Sequence, residues 1–264
     1  DSPLTNIETR FYANYSAVDI NVSGVGLTRK EMGAVIWNTS DLDPNNLAPS
    51  VTFIDLDHDG TKDEIVFGEY SDLRAFYSNG TEMSTGNWPA SEPICIINEL
   101  NIFDANNDSF EDEIIVVNEG CGMSSNEIQI FNNTGDMIFE SNLGRDLVST
   151  TVLDLDNQNL ENDLVAVAMD GEIFAYNTTD GISWDQRWNY TVSDSLREII
   201  SGDFDDDGRE DDIAVSYGDG SDAYITVLNE TGGVIWNTSS IGIYAYSISK
   251  GDIDHDGKLD DVIS

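Results

Sequence analysis

Five acidic segments recur along the chain at a nearly constant interval. They are DLDHDGTKDEI (55–65), DANNDSFEDEI (104–114), DLDNQNLENDL (154–164), DFDDDGREDDI (203–213) and DIDHDGKLDDV (252–262), and their first residues lie 49, 50, 49 and 49 apart. A period of that length belongs to an array of similar supersecondary units, each too small to bury its apolar faces without its neighbours. The flanks of each segment share a plan. An alternating or apolar run precedes it, as in Ser50-Val-Thr-Phe-Ile54 and Tyr244-Ala-Tyr-Ser-Ile-Ser249, and another follows, as in Glu64-Ile-Val-Phe67 and Asp212-Ile-Ala-Val215. A Gly-rich turn, a third run such as Tyr224-Ile-Thr-Val-Leu228, a polar turn and a fourth run such as Gly233-Val-Ile-Trp236 complete the unit. Runs of β-branched and aromatic residues between Gly, Asn and Asp read as strands. No helical periodicity is sustained. The expected fold is all-β, a propeller of four-stranded blades with strands A to D and the acidic segment as the A–B loop.

Charge follows the same period. The chain carries 51 acidic and 11 basic side chains for a net charge of −40, and 26 of the acids lie inside the five segments. Such a chain lacks the basic face that nucleic acid requires. Its apolar runs, such as Ile114-Ile-Val-Val117, are too short for a transmembrane helix.

Within each segment, side chains at positions 1, 3 and 5, a backbone carbonyl at 7 and a side chain at 9 can surround one point, provided position 6 makes a sharp turn. Hard oxygen ligands in that number suit Ca²⁺. Three segments supply the full set: Asp55, Asp57, Asp59, the Thr61 carbonyl and Asp63; Asp203, Asp205, Asp207, the Arg209 carbonyl and Asp211; and Asp252, Asp254, Asp256, the Lys258 carbonyl and Asp260, with Gly60, Gly208 and Gly257 at position 6. The second segment offers Asp104, Asn106, Asp108, the Phe110 carbonyl and Asp112, with Ser109 in place of Gly. The third keeps Asp154 and Asp156 but has Gln158 and Asn162 at positions 5 and 9. Three to five Ca²⁺ ions are expected, with full sites in loops one, four and five, a weaker second and a third weak or empty. An EF-hand is excluded, because position 12 is Val66, Val165, Ala214 or Ile263 rather than a bidentate Glu, and the flanks are strands.

Strand, D-x-D-x-D-G-x-x-D, then apolar strand resembles the FG-GAP/VCBS repeat family, whose best-known members are the calcium-binding blades of the integrin alpha-chain propeller. Gly202-Asp-Phe-Asp-Asp-Asp-Gly208 and Gly251-Asp-Ile-Asp-His-Asp-Gly257 carry the likeness most clearly, and it covers about residues 48–264. The Phe-Gly and Gly-Ala-Pro signatures are missing, so integrin-type ligand recognition does not follow. Val227-Leu-Asn-Glu-Thr-Gly-Gly-Val-Ile-Trp236 also resembles a quinoprotein-type blade, which supports a propeller without implying a quinone.

The segment Gly33-Ala-Val-Ile-Trp-Asn-Thr-Ser40 repeats Gly233-Val-Ile-Trp-Asn-Thr-Ser239, which places a strand D before the first acidic loop. Residues 33–264 are therefore read as propeller repeats and 1–32 as an N-terminal extension or edge strands. The count is five blades, or six to eight if the chain is a piece of a longer one.

Sequons occur at Asn14, Asn21, Asn38, Asn79, Asn107, Asn132, Asn177, Asn189, Asn229 and Asn237. Asn107 lies inside an acidic loop and is expected bare. The other nine are glycosylation candidates, against the alternative that Asn and Thr simply suit tight turns. His58 and His255 at loop position 4 are expected to face solvent, and Trp37, Trp88, Trp184, Trp188 and Trp236 to pack between blades.

The functional expectation is a non-enzymatic extracellular protein, stabilised by calcium and presenting a surface to a protein or glycan ligand at the cell surface. Two alternatives stay open: a polysaccharide-acting enzyme with a site in the propeller funnel, and a self-assembling subunit of a surface layer or filament. Cys95 and Cys121 bear on the compartment. If loop positions 1 and 9 face each other, the second hairpin pairs residues summing to 216, and the two cysteines meet across it. Thiol titration of the unfolded, unreduced protein is expected to find no reactive thiol; two would remove the pairing.

Overall fold

The computed structural model describes residues 8–13, 16–21, 26–31, 34–38, 47–69, 72–90, 96–106, 108–119, 127–142, 146–156, 163–168, 170–178, 183–253, 255, 257–258 and 260–263. All regular structure among them is β, and no helix there is long and apolar enough to cross a membrane. The first sheet holds β1 (Glu8–Ala13), β2 (Ser16–Asn21), β3 (Gly26–Glu31) and β4 (Ala34–Asn38) in sequential antiparallel order. Segment 1–32 thus contributes three strands of a sheet whose fourth is the expected strand D. The next sheet has three strands, β5 (Leu47–Ile54), β6 (Glu64–Glu69) and β7 (Asp72–Phe76). An irregular stretch replaces its strand D, touching β7 through the bridges Phe76–Glu82 and Leu73–Ala90.

Three full meanders follow: β8 (Ile96–Phe103) to β11 (Met137–Asn142) through β9 (Glu113–Glu119) and β10 (Glu127–Phe131); β12 (Leu147–Leu153) to β15 (Trp184–Thr191) through β13 (Asp163–Ala168) and β14 (Glu172–Thr178); and β16 (Leu196–Gly202) to β19 (Val234–Asn237) through β17 (Asp212–Gly218) and β18 (Ala223–Leu228). A two-stranded sheet, β20 (Ser249–Gly251) with β21 (Asp261–Ile263), comes last. Its strand A is shorter than the sequence suggests, because 244–248 is not in a strand. Every acidic segment joins a strand A to a strand B.

The sheets stack face to face along the chain. Ile114-Ile-Val-Val117 shows why the B strands read as unbroken apolar runs. Ile114 and Val116 pack with Ile54, Val66 and Leu73 of the preceding sheet, while Ile115 and Val117 pack with Leu147, Phe174 and Tyr176 of the following one. A strand buried on both faces has no reason to alternate. The same arrangement recurs around Leu153, Ile173 and Ile213, and around Ala214, Val227 and Ile248.

The A strands β5, β8, β12, β16 and β20 lie successively against one another. Each is the edge of its own sheet, with N–H groups that the sheet leaves unpaired. The preceding A strand supplies acceptors: Ser50 Oγ takes the Leu100 N–H (2.9 Å), Glu99 Oε2 the Thr150 N–H (2.6 Å) and Glu198 Oε2 the Ile248 N–H (2.6 Å). A one-residue bulge precedes Glu99, Ser149 and Glu198 at the same place in three sheets, re-aiming the residue that follows it.

Glu99 is held among Thr150, Ser149 and Asn101, facing the charge of Glu198, and burial pushes its carboxyl up to about 7. An unfolded Glu titrates near 4.3, so the native chain holds the extra proton between these values. Glu99 therefore contributes stability that is complete below about pH 4.3 and is lost as the pH rises through about 7. Glu99→Gln keeps an acceptor for Thr150 and removes the charge. In saturating calcium its melting temperature relative to wild type is expected to climb from pH 5 to pH 8, by on the order of 5 °C; parallel pH profiles would contradict this.

Candidate metal centre

The acidic loops fold by one local rule. Position 6 has a left-handed backbone, with φ of 90° at Gly60, 93° at Gly208 and 97° at Gly257; Ser109 takes 76° in the second loop. Position 4 is left-handed as well, at His58, Asp206 and His255. These two reversals turn the loop's N–H groups onto its own carboxylates. In loop one the Asp59 N–H donates to Asp55 Oδ1 (3.1 Å) and Asp57 Oδ1 (3.2 Å), the Gly60 N–H to Asp55 Oδ2 (2.9 Å) and the Thr61 N–H to Asp59 Oδ1 (2.9 Å). Loop two repeats all four bonds through Asp104, Asn106 and Asp108, and loop four through Asp203, Asp205 and Asp207. In loop five Gly257 N–H donates to Asp252 Oδ2 (3.1 Å); Asp254 and Asp256 lie outside the described residues.

The ligand set read from sequence omits position 10. An acid stands there in all five segments: Glu64, Glu113, Asp163, Asp212 and Asp261. Each opens or immediately precedes the run of strand B, and each reaches back across the hairpin. Glu64 takes the Leu56 N–H (3.2 Å), Glu113 the Ala105 N–H (2.8 Å), Asp163 the Asp156 N–H (3.1 Å), Asp212 those of Phe204 (2.8 Å) and Asp205 (2.9 Å), and Asp261 that of Ile253 (2.7 Å). Glu64, Glu113, Asp163 and Asp212 are sealed from water. Burial pushes Glu64, Asp163 and Asp212 up to about 7 and Glu113 up to about 8, with neighbouring loop acids adding to the effect. Recurrence of an acid at this position in every copy was the available signal.

Among the described residues, carboxylate oxygens within 4.8 Å of one another occur at Asp55, Asp57 and Asp59, at Asp154, Asp156 and Asp163, and at Asp203, Asp205 and Asp212. The third loop therefore assembles three carboxylates rather than the two counted at positions 1, 3, 5 and 9. Arg187 Nη1 lies 3.8 Å from Asp163 Oδ2 and partly supplies positive charge there. Position 9 is buried at Asp112 and Asp211, and burial pushes both carboxyls up, Asp211 to about 6. Asp112 Oδ1, Asp163 Oδ1, Asp212 Oδ1 and Asp252 Oδ1 are buried and have no hydrogen-bond partner. A buried carboxylate oxygen left without a donor is costly, and an oxygen-seeking cation removes that cost. The donor set fits calcium. Of the carbonyls assigned to the ligand set, Thr61 O accepts the Asp63 N–H at 2.9 Å and keeps a second lone pair. The side chains of Phe110, Arg209 and Lys258 stay at the surface.

Neighbouring loops are braced to one another. His58 and His255 are exposed, as expected, and His58 is also held in place: its ring stacks on Phe110 (centroids 4.0 Å apart), its Nε2 is 2.5 Å from Asp112 Oδ2, and Asn133 Nδ2 is 3.1 Å away. The Asp112 hydrogen bond raises the His58 pKa. Lys62 pairs with Glu111, and Lys258 with Asp206. Tryptophan links sheets as expected. Trp88 Nε1 donates to Asn133 O (3.0 Å) and Trp188 Nε1 to Glu230 O (2.9 Å), each indole lying against a left-handed glycine of the next C–D turn, Gly135 or Gly232. Those turns are built on sequon residues: Thr134 Oγ1 donates to Asn132 Oδ1 and Thr231 Oγ1 to Asn229 Oδ1, both at 2.8 Å, while Asn79 Oδ1 takes the Thr81 N–H. Asn177 and Asn189 lie within strands, not turns. Cys95, Cys121, Asn14 and Asn107 lie outside the described residues. The second hairpin pairs residues summing to 216 from Phe103–Glu113 to Glu99–Val117, and the bulge then shifts the sum by one.

No family model matches the chain, and no curated protein matches it. Solved structures do. The BBS1N chain crystallised in complex with ARL6DN and soaked with lead is similar over 97% of this chain and 75% of that one, with a TM-score of 0.63 and 12% identity. A mercury-soaked crystal of the same complex gives 92%, 71%, 0.59 and 11%. Likeness at that identity concerns the fold alone, which is of the β-propeller type.

Position 6 offers a direct check of the loop geometry. Gly208 has open space where a Cβ would stand, so only its backbone conformation resists substitution. Gly208→Ala is expected to lower stability by about 1 kcal/mol, and Ser109→Gly to raise it by a smaller amount, in urea unfolding. Equal effects of the same sign would contradict the left-handed assignment.

Proposed function

We propose that this chain is a non-enzymatic, calcium-stabilised β-propeller that works outside the cell by presenting a surface to a protein or glycan partner. The observation that carries the cation is the set of buried, partnerless carboxylate oxygens on Asp112, Asp163, Asp212 and Asp252, spread over four of the five loops. Asp55, Asp57, Asp59, Thr61 O and Asp63 would hold one ion, and the matching residues of loops two, four and five would hold others. The third loop, with Arg187 beside Asp163, is the weakest. A bound ion neutralises acids that otherwise repel, and because it binds only the folded loop, its binding energy adds to folding energy. The binding role is supported by the BBS1N likeness, since that propeller was crystallised with a protein partner. The extracellular setting rests on the sequons.

Thermal unfolding in millimolar calcium and in chelator tests the reading. Saturated sites with micromolar affinity are expected to raise the melting temperature by about 10 °C or more. An unchanged transition would remove structural calcium. Asp203→Asn should reduce the calcium-dependent increment and leave the chelated protein close to wild type.

A further inference from the structure

We propose that the β16–β19 sheet holds a second divalent cation beside loop four, between Asp211 and Asp212 at the start of β17 and Glu230 in the turn joining β18 to β19. One oxygen from each of the three carboxylates lies within 4.8 Å of the others. Asp211 is 4% exposed and Asp212 1%. Asp212 Oδ2 is occupied by the N–H groups of Phe204 and Asp205, but its Oδ1, closed off from water, has no partner. An unpartnered oxygen on a carboxylate this deeply buried is a ligand position awaiting a cation. Arg209, the basic residue of the loop, only partly offsets the charge of Asp211, and its Nη1 stands 4.0 Å from Asp207 Oδ2 instead.

Glu230 is placed by its backbone. Its carbonyl receives the Trp188 indole N–H at 2.9 Å, and Asn229 Oδ1 accepts the N–H groups of Thr231 (3.2 Å) and Gly233 (2.8 Å), which sets the turn. The turn asparagines Asn79 and Asn132 of two preceding sheets are followed by Gly80 and Asn133, so neither of those turns places an acid at this point. Asp212 also belongs to the group formed with Asp203 and Asp205. The two positions therefore share Asp211 and Asp212, with Asp203, Asp205 and Asp207 on one side and Glu230 on the other. Three carboxylates and no nitrogen or sulfur donor select a hard ion such as calcium.

The proposal rests on the loop-four cation only in sharing Asp211 and Asp212 with it, and calcium titration calorimetry on the full chain separates the two. Glu230→Gln, similar in size and half-exposed, is expected to reduce the number of ions bound by one, Asp203→Asn by one, and the double variant by two; Glu230→Asp should retain the event at about tenfold weaker affinity. The proposal is overturned if Glu230→Gln leaves both count and affinities as in wild type, if it merely weakens one event that Asp203→Asn also removes, or if wild type binds no calcium. Loss of an ion in Asp203→Asn alone would retain the loop cage and discard the second position. Loss in Glu230→Gln alone would do the reverse.

Discussion

Everything at the loop end of this molecule depends on a buried carboxylate at the head of strand B accepting an N–H from the loop that precedes it. The bond recurs at Glu64, Glu113, Asp163, Asp212 and Asp261, and the carboxylate is buried at the first four and partly buried at Asp261. It ties the entry of each acidic loop to its exit, so that positions 1, 3 and 5 curl around the space between. The bond also places a charge where water cannot reach. Burial moves four of these carboxyls to near neutrality or above, which in linkage terms opposes folding at neutral pH. A cation in the loop acts on that same term with the opposite sign. On the calcium reading proposed above, loop shape and ion binding share one cause: the group that organises the backbone also leaves buried negative charge that a cation would offset.

Much of the architecture was legible in the chain. The 49-residue interval announced repeating sheets, and the acidic segments do join strand A to strand B at each place. Gly60, Gly208 and Gly257 marked left-handed turns correctly because glycine takes that conformation at no steric cost. Asn106 and Ser109 show why the second loop could still form: an amide oxygen accepts the same N–H as a carboxylate, and a small side chain tolerates the left-handed region.

Other features escaped for identifiable reasons. A ligand template written for positions 1 to 9 does not look at position 10, although that acid recurs more faithfully than those at 5 and 9. The missing strand D of the β5–β7 sheet has no compositional marker, since Trp88 packs inward from an irregular segment as well as it would from a strand. The environment of His58 belongs to Phe110, Asp112 and Asn133, which lie 52 to 75 residues further on. Contacts at that separation follow from how one sheet sits on the next, which periodicity within a single repeat does not encode.

The contacts between sheets have a direction. Trp88 and Trp188 reach forward to the next turn, Glu99 and Glu198 reach forward to the next A strand, and His58 reaches forward to the next loop. Among the described residues from β5 onward, the units therefore carry a plug on one face and a different socket on the other, a heterologous joint rather than a self-complementary one. A joint of that kind places no limit of its own on how many units follow. Duplication of a single segment yields a new unit that already fits both neighbours, and the closure of any ring is left to the small rotation between successive sheets.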